Sequence, residues 1–185
     1  MTGNWNEYQQ SEKPALDLFE SLGYKVYDQL DKDFVKLPKR ESEHQVILIE
    51  ELKTALKRIN PWINENNLNK AVNEVRPARL KANSLMAANE IIYDRLINHI
   101  SLEQDLGHGK KNQTVKYIDY DNPKNNSFIA INQFRVKGKE TIKPDITLFV
   151  NGLPLAVIEC ENNTTCNEPE EEAICLLYTS DAADE

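Results

Sequence analysis

The sequence predicts an α+β domain in which helices from the first half of the chain pack on a sheet formed by the second half. Two observations predict this class. Before Gly107 the apolar residues recur with the 3.6-residue spacing of helices, and after Gly109 they alternate or form continuous β-branched runs. The connections between these later runs are short and rich in Asn and Gly. Such connections predict an antiparallel meander.

Four helices are expected before Gly107, because in each segment the apolar residues fall on one face. The first begins near Pro14, which is tolerated in a first helical turn, and stops at Gly23. The second ends at an Asn-Pro pair, and the Asn-Ser pair at 83–84 can cap the fourth. The predicted ranges of the second, third and fourth helices are about 44–59, 67–75 and 85–96.

Four strands are expected after Gly109, each a short run of β-branched and aromatic residues. Turn residues separate them, including an Asn-Gly pair at 151–152 between the third and the fourth. The predicted strands are Thr114–Tyr120, Phe128–Val136, Ile146–Val150 and Leu155–Cys160.

Composition excludes several classes of protein. The 185 residues are 40% hydrophobic, which is enough for a core, but they contain no stretch of about 20 apolar residues that could span a membrane. The polar start of the chain lacks the pattern of a signal peptide, so we expect a cytoplasmic protein. The three cysteines have no C-x2-C spacing, which argues against a disulfide framework or a zinc site.

The net charge of −8 argues against a nucleic-acid partner until its distribution is considered. Residues 159–185 hold nine acidic and no basic side chains, so the rest of the chain is close to neutral. Basic residues recur there in short groups that could meet a phosphate backbone, although scattered surface lysines are the commoner meaning. These groups are Lys36, Lys39 and Arg40; Arg76, Arg79 and Lys81; and Arg135, Lys137, Lys139 and Lys143.

The most informative stretch is 142–163, where Asp145 enters one strand and Glu159 ends the next. Two registers are open. A strict two-residue Asn-Gly loop pairs Asp145 with Ile158, which leaves Asp145 and Glu159 on opposite faces. A longer loop, or a bulge near Pro154, places Asp145 across from Glu159, with Glu161 two residues further on the same face.

Carboxylates held a few Å apart repel one another unless a cation lies between them. Hard oxygen ligands of this kind suit Mg²⁺, which takes one or two carboxylates together with waters and substrate phosphate. The pattern therefore indicates a magnesium site formed by Asp145 and Glu159. On residue types alone, a solvated strand end remains the alternative.

The stretch IKPDITLFVNGLPLAVIECENN, residues 142–163, resembles the nuclease core of the restriction (R) subunit of type I restriction–modification enzymes. In that family a Pro-Asp enters one strand and the next strand ends in E-x-K. The resemblance extends to YIDYDNPKNNSFIAINQF before it, and to the helical segments SLMAANEIIYDRLINHI and QVILIEELKTALKRINP. It implies an α/β fold of the α+β type with a restriction-endonuclease-like PD-(D/E)xK core, and an N-terminal nuclease domain over residues 1–174.

The resemblance also implies the chemistry. Asp145 and Glu159 would be the Mg²⁺ ligands of a site-specific deoxyribonuclease that cuts double-stranded DNA as a defence against foreign DNA. The partners would be the modification (methyltransferase) and specificity subunits. ATP would drive DNA translocation only through motor domains that these residues do not contain, since no glycine-rich phosphate loop is present.

The sequence departs from the family at Glu161, which occupies the position of the catalytic lysine. Three explanations are open: natural inactivation, a substitute lysine such as Lys143, or a sequencing error. In the register that brings Asp145 opposite Glu159, Lys143 faces Glu161, where a cross-strand ion pair is the simpler role. The alternative function is a catalytically silent module that docks to DNA or to other subunits.

Residues 175–185, CLLYTSDAADE, look like a translated sequencing adapter. We therefore expect an artefactual tail and a domain truncated at about residue 174. The family's E-x-K strand is followed by a helix with a Q-x-x-x-Y motif, which would lie beyond this point.

Overall fold

The computed structural model describes residues 8–31, 36–76, 84–138 and 140–160. It has the predicted α+β class, with a mixed parallel and antiparallel sheet. The helices are α1 (Lys13–Ser21), α2 (Ile49–Ile59), α3 (Glu65–Val75) and α4 (Leu85–Ile97), with a π-helical turn at Tyr8–Glu12 and a 3-10 turn at Pro123–Asn125. The strands are β1 (Lys25–Tyr27), β2 (Ile100–Asp105), β3 (Lys110–Val115), β4 (Phe128–Asn132), β5 (Val136–Lys137), β6 (Thr141–Ile142), β7 (Ile146–Val150) and β8 (Leu153–Ile158).

All four predicted helices are present, with shifted starts for two of them. The Ser84 side chain accepts a hydrogen bond from the Ala87 N–H and caps α4 as expected. Helix α2 begins at Ile49 and not near residue 44, because the chain there is engaged by β5: the Lys137 N–H donates to the carbonyl of Glu43.

The main sheet has the strand order β1-β4-β7-β8. Strands β7 and β8 are joined by the Asn-Gly turn at 151–152, as the sequence predicted. The expected antiparallel meander is wrong at its first edge, because β1 pairs parallel to β4, with Val26 opposite Ala130. Strand β1 is only three residues long and its partner strand lies about a hundred residues further along the chain, so the local sequence pattern did not predict it.

The first predicted strand, Thr114–Tyr120, is also corrected. Only its start belongs to β3, which pairs with β2 in a separate two-stranded hairpin. At Lys116 the backbone bonds to a side chain in place of a neighbouring strand. The Asn60 amide donates to the Lys116 carbonyl at 2.8 Å and accepts from the Lys116 N–H at 2.9 Å. The strand ends where that amide takes over the backbone hydrogen bonds.

The second predicted strand, Phe128–Val136, breaks at Gln133. This residue has φ +53°, a left-handed conformation that ends the extended chain after Asn132. The chain becomes extended again at Val136, in the short antiparallel pair β5–β6. The last predicted strand begins two residues earlier than expected, at Leu153, and ends at Ile158.

The chain divides into two compact units. Of the described residues, the first comprises those up to 46, those in 128–149 and 154–160, and the second comprises those in 47–127 and 150–153. The first has a buried cluster of Leu16, Ala130, Ile146 and Cys160. The second has a larger one, in which α2 and α3 pack with residues after β3: Ile49, Leu52, Leu56, Leu68, Ala71, Val72, Val75, Leu96, Val115, Tyr117, Ile118 and Leu153.

Among the described residues, none of the helices combines the length and the apolar character that a membrane crossing requires.

Candidate functional site

Asp145 lies in the first unit, at the bend that leads into β7, and is partly buried. Both of its carboxylate oxygens accept hydrogen bonds. Oδ1 accepts from Gln133 Nε2 at 3.2 Å, and Oδ2 accepts from the Cys160 backbone N–H at 2.7 Å. These two bonds fix the orientation of the carboxylate from both sides.

Glu159 follows directly after β8 and is also partly buried. Its neighbour Cys160 donates to Asp145, so the two predicted ligands lie at strand ends that meet. Ile158 and Cys160 pack in the same cluster as Ile146. The strict register would have placed Val157 opposite Ile146, so this shared packing favours the register with one extra residue in β8.

The sequence analysis missed two residues of this site, Glu12 and Gln133. Glu12 ends the π-helical turn before α1 and is only 4% exposed. Its Oε2 accepts a hydrogen bond from Gln133 Nε2 at 3.1 Å, the same nitrogen that binds Asp145. A single amide group therefore links two carboxylates that are 133 residues apart in the chain.

Gln133 is held in place by its backbone as well. Its N–H donates to the Asp145 carbonyl at 2.8 Å, and its own carbonyl accepts from Gln29 Nε2 at 3.0 Å. A non-glycine residue in the left-handed region is uncommon and requires surroundings that stabilise it. Here the bonds to Asp145, Glu12 and Gln29 supply that stabilisation.

A second polar network lies beside this one and fixes the end of β1. Asn132 Nδ2 donates to Asp28 Oδ1 at 2.9 Å, and the Tyr8 hydroxyl donates to Asp28 Oδ2 at 2.6 Å. Burial, followed by the hydrogen bond to Asp28, raises the pKa of Tyr8 above its ordinary value, so the hydroxyl remains a donor. Asn132 immediately precedes Gln133, so the network also anchors the segment that carries the site.

Of the two remaining candidates, Lys143 is exposed and lies two residues before Asp145. Glu161 lies outside the described residues, as do residues 175–185 with the expected tail. The suggested pairing of Lys143 with Glu161 therefore remains a prediction.

The donor set fits a hard divalent cation. Each Asp145 oxygen takes one hydrogen bond and has a second lone pair with which it could bind a ligand. Across residues 8–31, 36–76, 84–138 and 140–160, no three His, Cys, Asp or Glu side chains gather as a metal cluster. A site with one or two carboxylates, completed by waters and substrate, is the kind that Mg²⁺ occupies.

Comparison with known proteins shows the family to which the chain belongs. The profile of the family described as type I restriction enzyme R protein N terminus matches residues 4–179. The chain is 32% identical over 158 residues to a Methanocaldococcus jannaschii protein named as the type I restriction enzyme MjaIXP endonuclease subunit. It is 29% identical over 159 residues to the type I restriction enzyme HindI endonuclease subunit of Haemophilus influenzae.

These alignments cover 83% and 82% of the chain but only 15% and 14% of the two relatives. A third relative, named as the MjaVIIIP endonuclease subunit of M. jannaschii, is 35% identical over 131 residues, which is 66% of the chain and 12% of that protein. The match to the family spans residues 4–179, nearly the whole chain. The chain therefore belongs to the family of type I restriction enzyme R protein N-terminal domains.

Proposed function

We propose that this domain is a Mg²⁺-dependent nuclease that hydrolyses phosphodiester bonds of double-stranded DNA. The observation that carries the proposal is the fixed carboxylate of Asp145. It is oriented by Gln133 and by the Cys160 N–H, and it lies beside the strand end that bears Glu159. The names of the relatives as endonuclease subunits support the same chemistry.

Asp145 and Glu159 would hold the metal ion. When bound, Mg²⁺ polarises phosphoryl oxygens and lowers the pKa of a bound water that can attack the phosphate. The protein contributes position and charge. Gln133 orients the Asp145 carboxylate, and the same amide also binds the buried Glu12 side chain, so one group positions both carboxyls.

Glu161 supports the second candidate function, a silent docking module. The family has a lysine at this position, which offsets negative charge that develops at the phosphate. A carboxylate is only an acceptor there and adds repulsion. Loss of one such preorganised donor typically lowers the rate by about 10²–10³.

The wider assignment follows from the family and is part of the proposal. We expect the domain to act in the cytoplasm, within a complex that contains modification and specificity subunits. ATP hydrolysis and DNA translocation would belong to motor domains of a longer protein.

The function is tested by converting Glu161→Lys and measuring Mg²⁺-dependent nicking of supercoiled plasmid. The variant is compared with the unchanged protein, both in the 185-residue chain and in a chain extended beyond residue 174 with the matching segment of a relative. We expect a gain of about 10² or more, since a donor at this position is restored. E161K combined with Asp145→Asn serves as the control and should show no gain.

If E161K nicks no faster than the unchanged chain, this position does not limit activity. If neither protein nicks DNA and neither is stabilised by Mg²⁺ or Mn²⁺ in a melting experiment, the docking module becomes the better assignment.

A further inference from the structure

The segment that connects β4 to β7 begins and ends at the candidate site. It leaves the sheet at Gln133 and returns at Asp145, and the hydrogen bond from the Gln133 N–H to the Asp145 carbonyl closes its base at 2.8 Å. Between these two residues the chain forms the β5–β6 hairpin. In sequence, residues 134–143 contain four basic side chains and one acidic side chain.

A second basic segment, residues 36–45, lies along this hairpin. The Lys137 N–H donates to the Glu43 carbonyl at 3.0 Å, and Arg40 Nη1 donates to the Arg135 carbonyl at 2.9 Å. His44 Nδ1 lies 2.7 Å from the Lys137 carbonyl. We call residues 36–45, 134–138 and 140–143 together the basic face.

The charge of the basic face contrasts with that of the whole chain. The residues of the basic face include six Lys or Arg and three Glu, whereas the chain as a whole carries a net charge of −8. The surface is therefore locally positive in an acidic protein. Such an excess on one side of a site is the electrostatic signature of a phosphate-binding surface.

Two basic side chains of this surface, Arg135 and Lys137, contact the same carboxylate. Glu43 Oε2 lies 2.9 Å from Lys137 Nζ and 3.7 Å from Arg135 Nε. The hydrogen bond that Lys137 donates to Glu43 holds the pKa of Glu43 below its ordinary value. One carboxylate therefore interacts with two basic side chains. The Lys137 and Arg135 side chains are 47% and 53% exposed and remain accessible to an anion from solvent.

Arg40 is a basic side chain of this surface whose guanidinium is held in place by its contacts. Its guanidinium carbon lies 4.2 Å from the centre of the Phe134 ring, in a cation–π contact. Phe134 is buried and packs edge-on against Phe149 of β7, with ring centres 5.0 Å apart. The guanidinium is thereby anchored to the same sheet that carries Asp145.

We propose that the basic face binds the phosphate backbone of duplex DNA to one side of the Asp145 site. The inference rests on the proposed function, because it places the bound duplex next to the carboxylates that would cut it. Lys137 lies four residues from Gln133, or at most about 13 Å of extended chain. That reach corresponds to about four base-pair steps along the duplex.

The test is binding of a fluorescent 30-base-pair duplex to the 185-residue chain, measured by anisotropy in EDTA over a range of salt concentrations. The variant R135Q/K137Q should reduce the slope of log K against log salt by about 2, since each lost phosphate contact contributes about 0.9. The matched control is K110Q/K111Q, which removes two basic residues from β3 in the second unit. The control should keep the slope of the unchanged chain.

A second variant, Glu43→Gln, covers the case in which R135Q/K137Q fails to fold. It removes the carboxylate that competes with DNA phosphate for Arg135 and Lys137, and it should therefore tighten DNA binding. The proposal is overturned if the unchanged chain does not bind the duplex, if the slope of R135Q/K137Q equals that of the unchanged chain or of the control, or if E43Q binds no more tightly. Because EDTA removes the metal ion, the binding assay does not depend on cleavage. DNA binding with this pattern, together with no nicking by E161K and no stabilisation by Mg²⁺ or Mn²⁺, would refute cleavage and leave the basic face standing.

Discussion

The clearest structural prediction concerns Gln133, whose side-chain amide links Glu12 to Asp145. Replacement by Ala removes both hydrogen bonds while leaving the backbone bonds possible. A hydrogen bond to a charged group contributes about 1.5–3 kcal/mol. These two bonds are 3.1 and 3.2 Å long and share one nitrogen, so we take about 1–1.5 kcal/mol for each, at or below the bottom of that range. We expect the free energy of unfolding to fall by about 2–3 kcal/mol.

Gly at position 133 separates the side-chain effect from the backbone effect. Q133G loses the same two hydrogen bonds but relieves the strain of φ +53°, which costs an L-residue about 1–2 kcal/mol. Q133G should therefore be about 1 kcal/mol more stable than Q133A. The control Gln113→Ala, on β3, removes an amide from the second unit and should cost less than about 0.5 kcal/mol.

The assay is urea unfolding at pH 7, followed by far-UV circular dichroism. A double-mutant cycle with Glu12→Gln should give a coupling energy of about 1 kcal/mol between Glu12 and Gln133. Loss of less than about 0.5 kcal/mol in Q133A, or a coupling energy of zero, would refute the claim that this amide organises the carboxylates.

Two further predictions concern the second unit. Gly152 has φ +80° and its added Cβ would lie 2.5 Å from the Leu48 carbonyl oxygen, so G152A should cost more than about 3 kcal/mol in urea unfolding. Gly107 has φ +97° in open space, so G107A should cost only about 1–2 kcal/mol, and equal losses would contradict the clash. Burial and then Lys116 lower the pKa of His99, so the unfolded state binds more protons and stability should fall as the pH drops below about 6.5. H99N should flatten this dependence in melts between pH 7 and 5, and an unchanged slope would contradict it.

Helices and caps were predictable because their signals are local. The apolar spacing of α2 and α3 and the Ser84 cap of α4 lie within single segments, and the structure follows them. The Asn-Gly turn between β7 and β8 was predictable for the same reason. The start of α2 was not, because the chain before Ile49 is bound by a strand nearly a hundred residues away.

The sheet and the site were predictable only in part. That Asp145 and Glu159 lie at meeting strand ends was predictable because they belong to one hairpin, whose turn brings nearby residues together; their role as metal ligands stays a prediction. Glu12 was missed because its partner Gln133 is 121 residues away and a solitary acid near a helix start has an ordinary capping role. The local sequence around Gln133 does not predict its left-handed backbone conformation, because that conformation depends on hydrogen bonds with three separate segments of the chain.

The most direct test of the central claim is Mn²⁺ binding, measured as free Mn²⁺ by electron paramagnetic resonance during titration of the 185-residue chain. Asp145→Asn keeps an acceptor for the Cys160 N–H but removes a charged ligand, and Asp121→Asn removes an exposed acid paired with Lys116 in the second unit. The account predicts one bound ion for the unchanged chain and for D121N, with binding weakened by about tenfold or more in D145N. Equal affinity of D145N and the unchanged chain would contradict a metal site at Asp145.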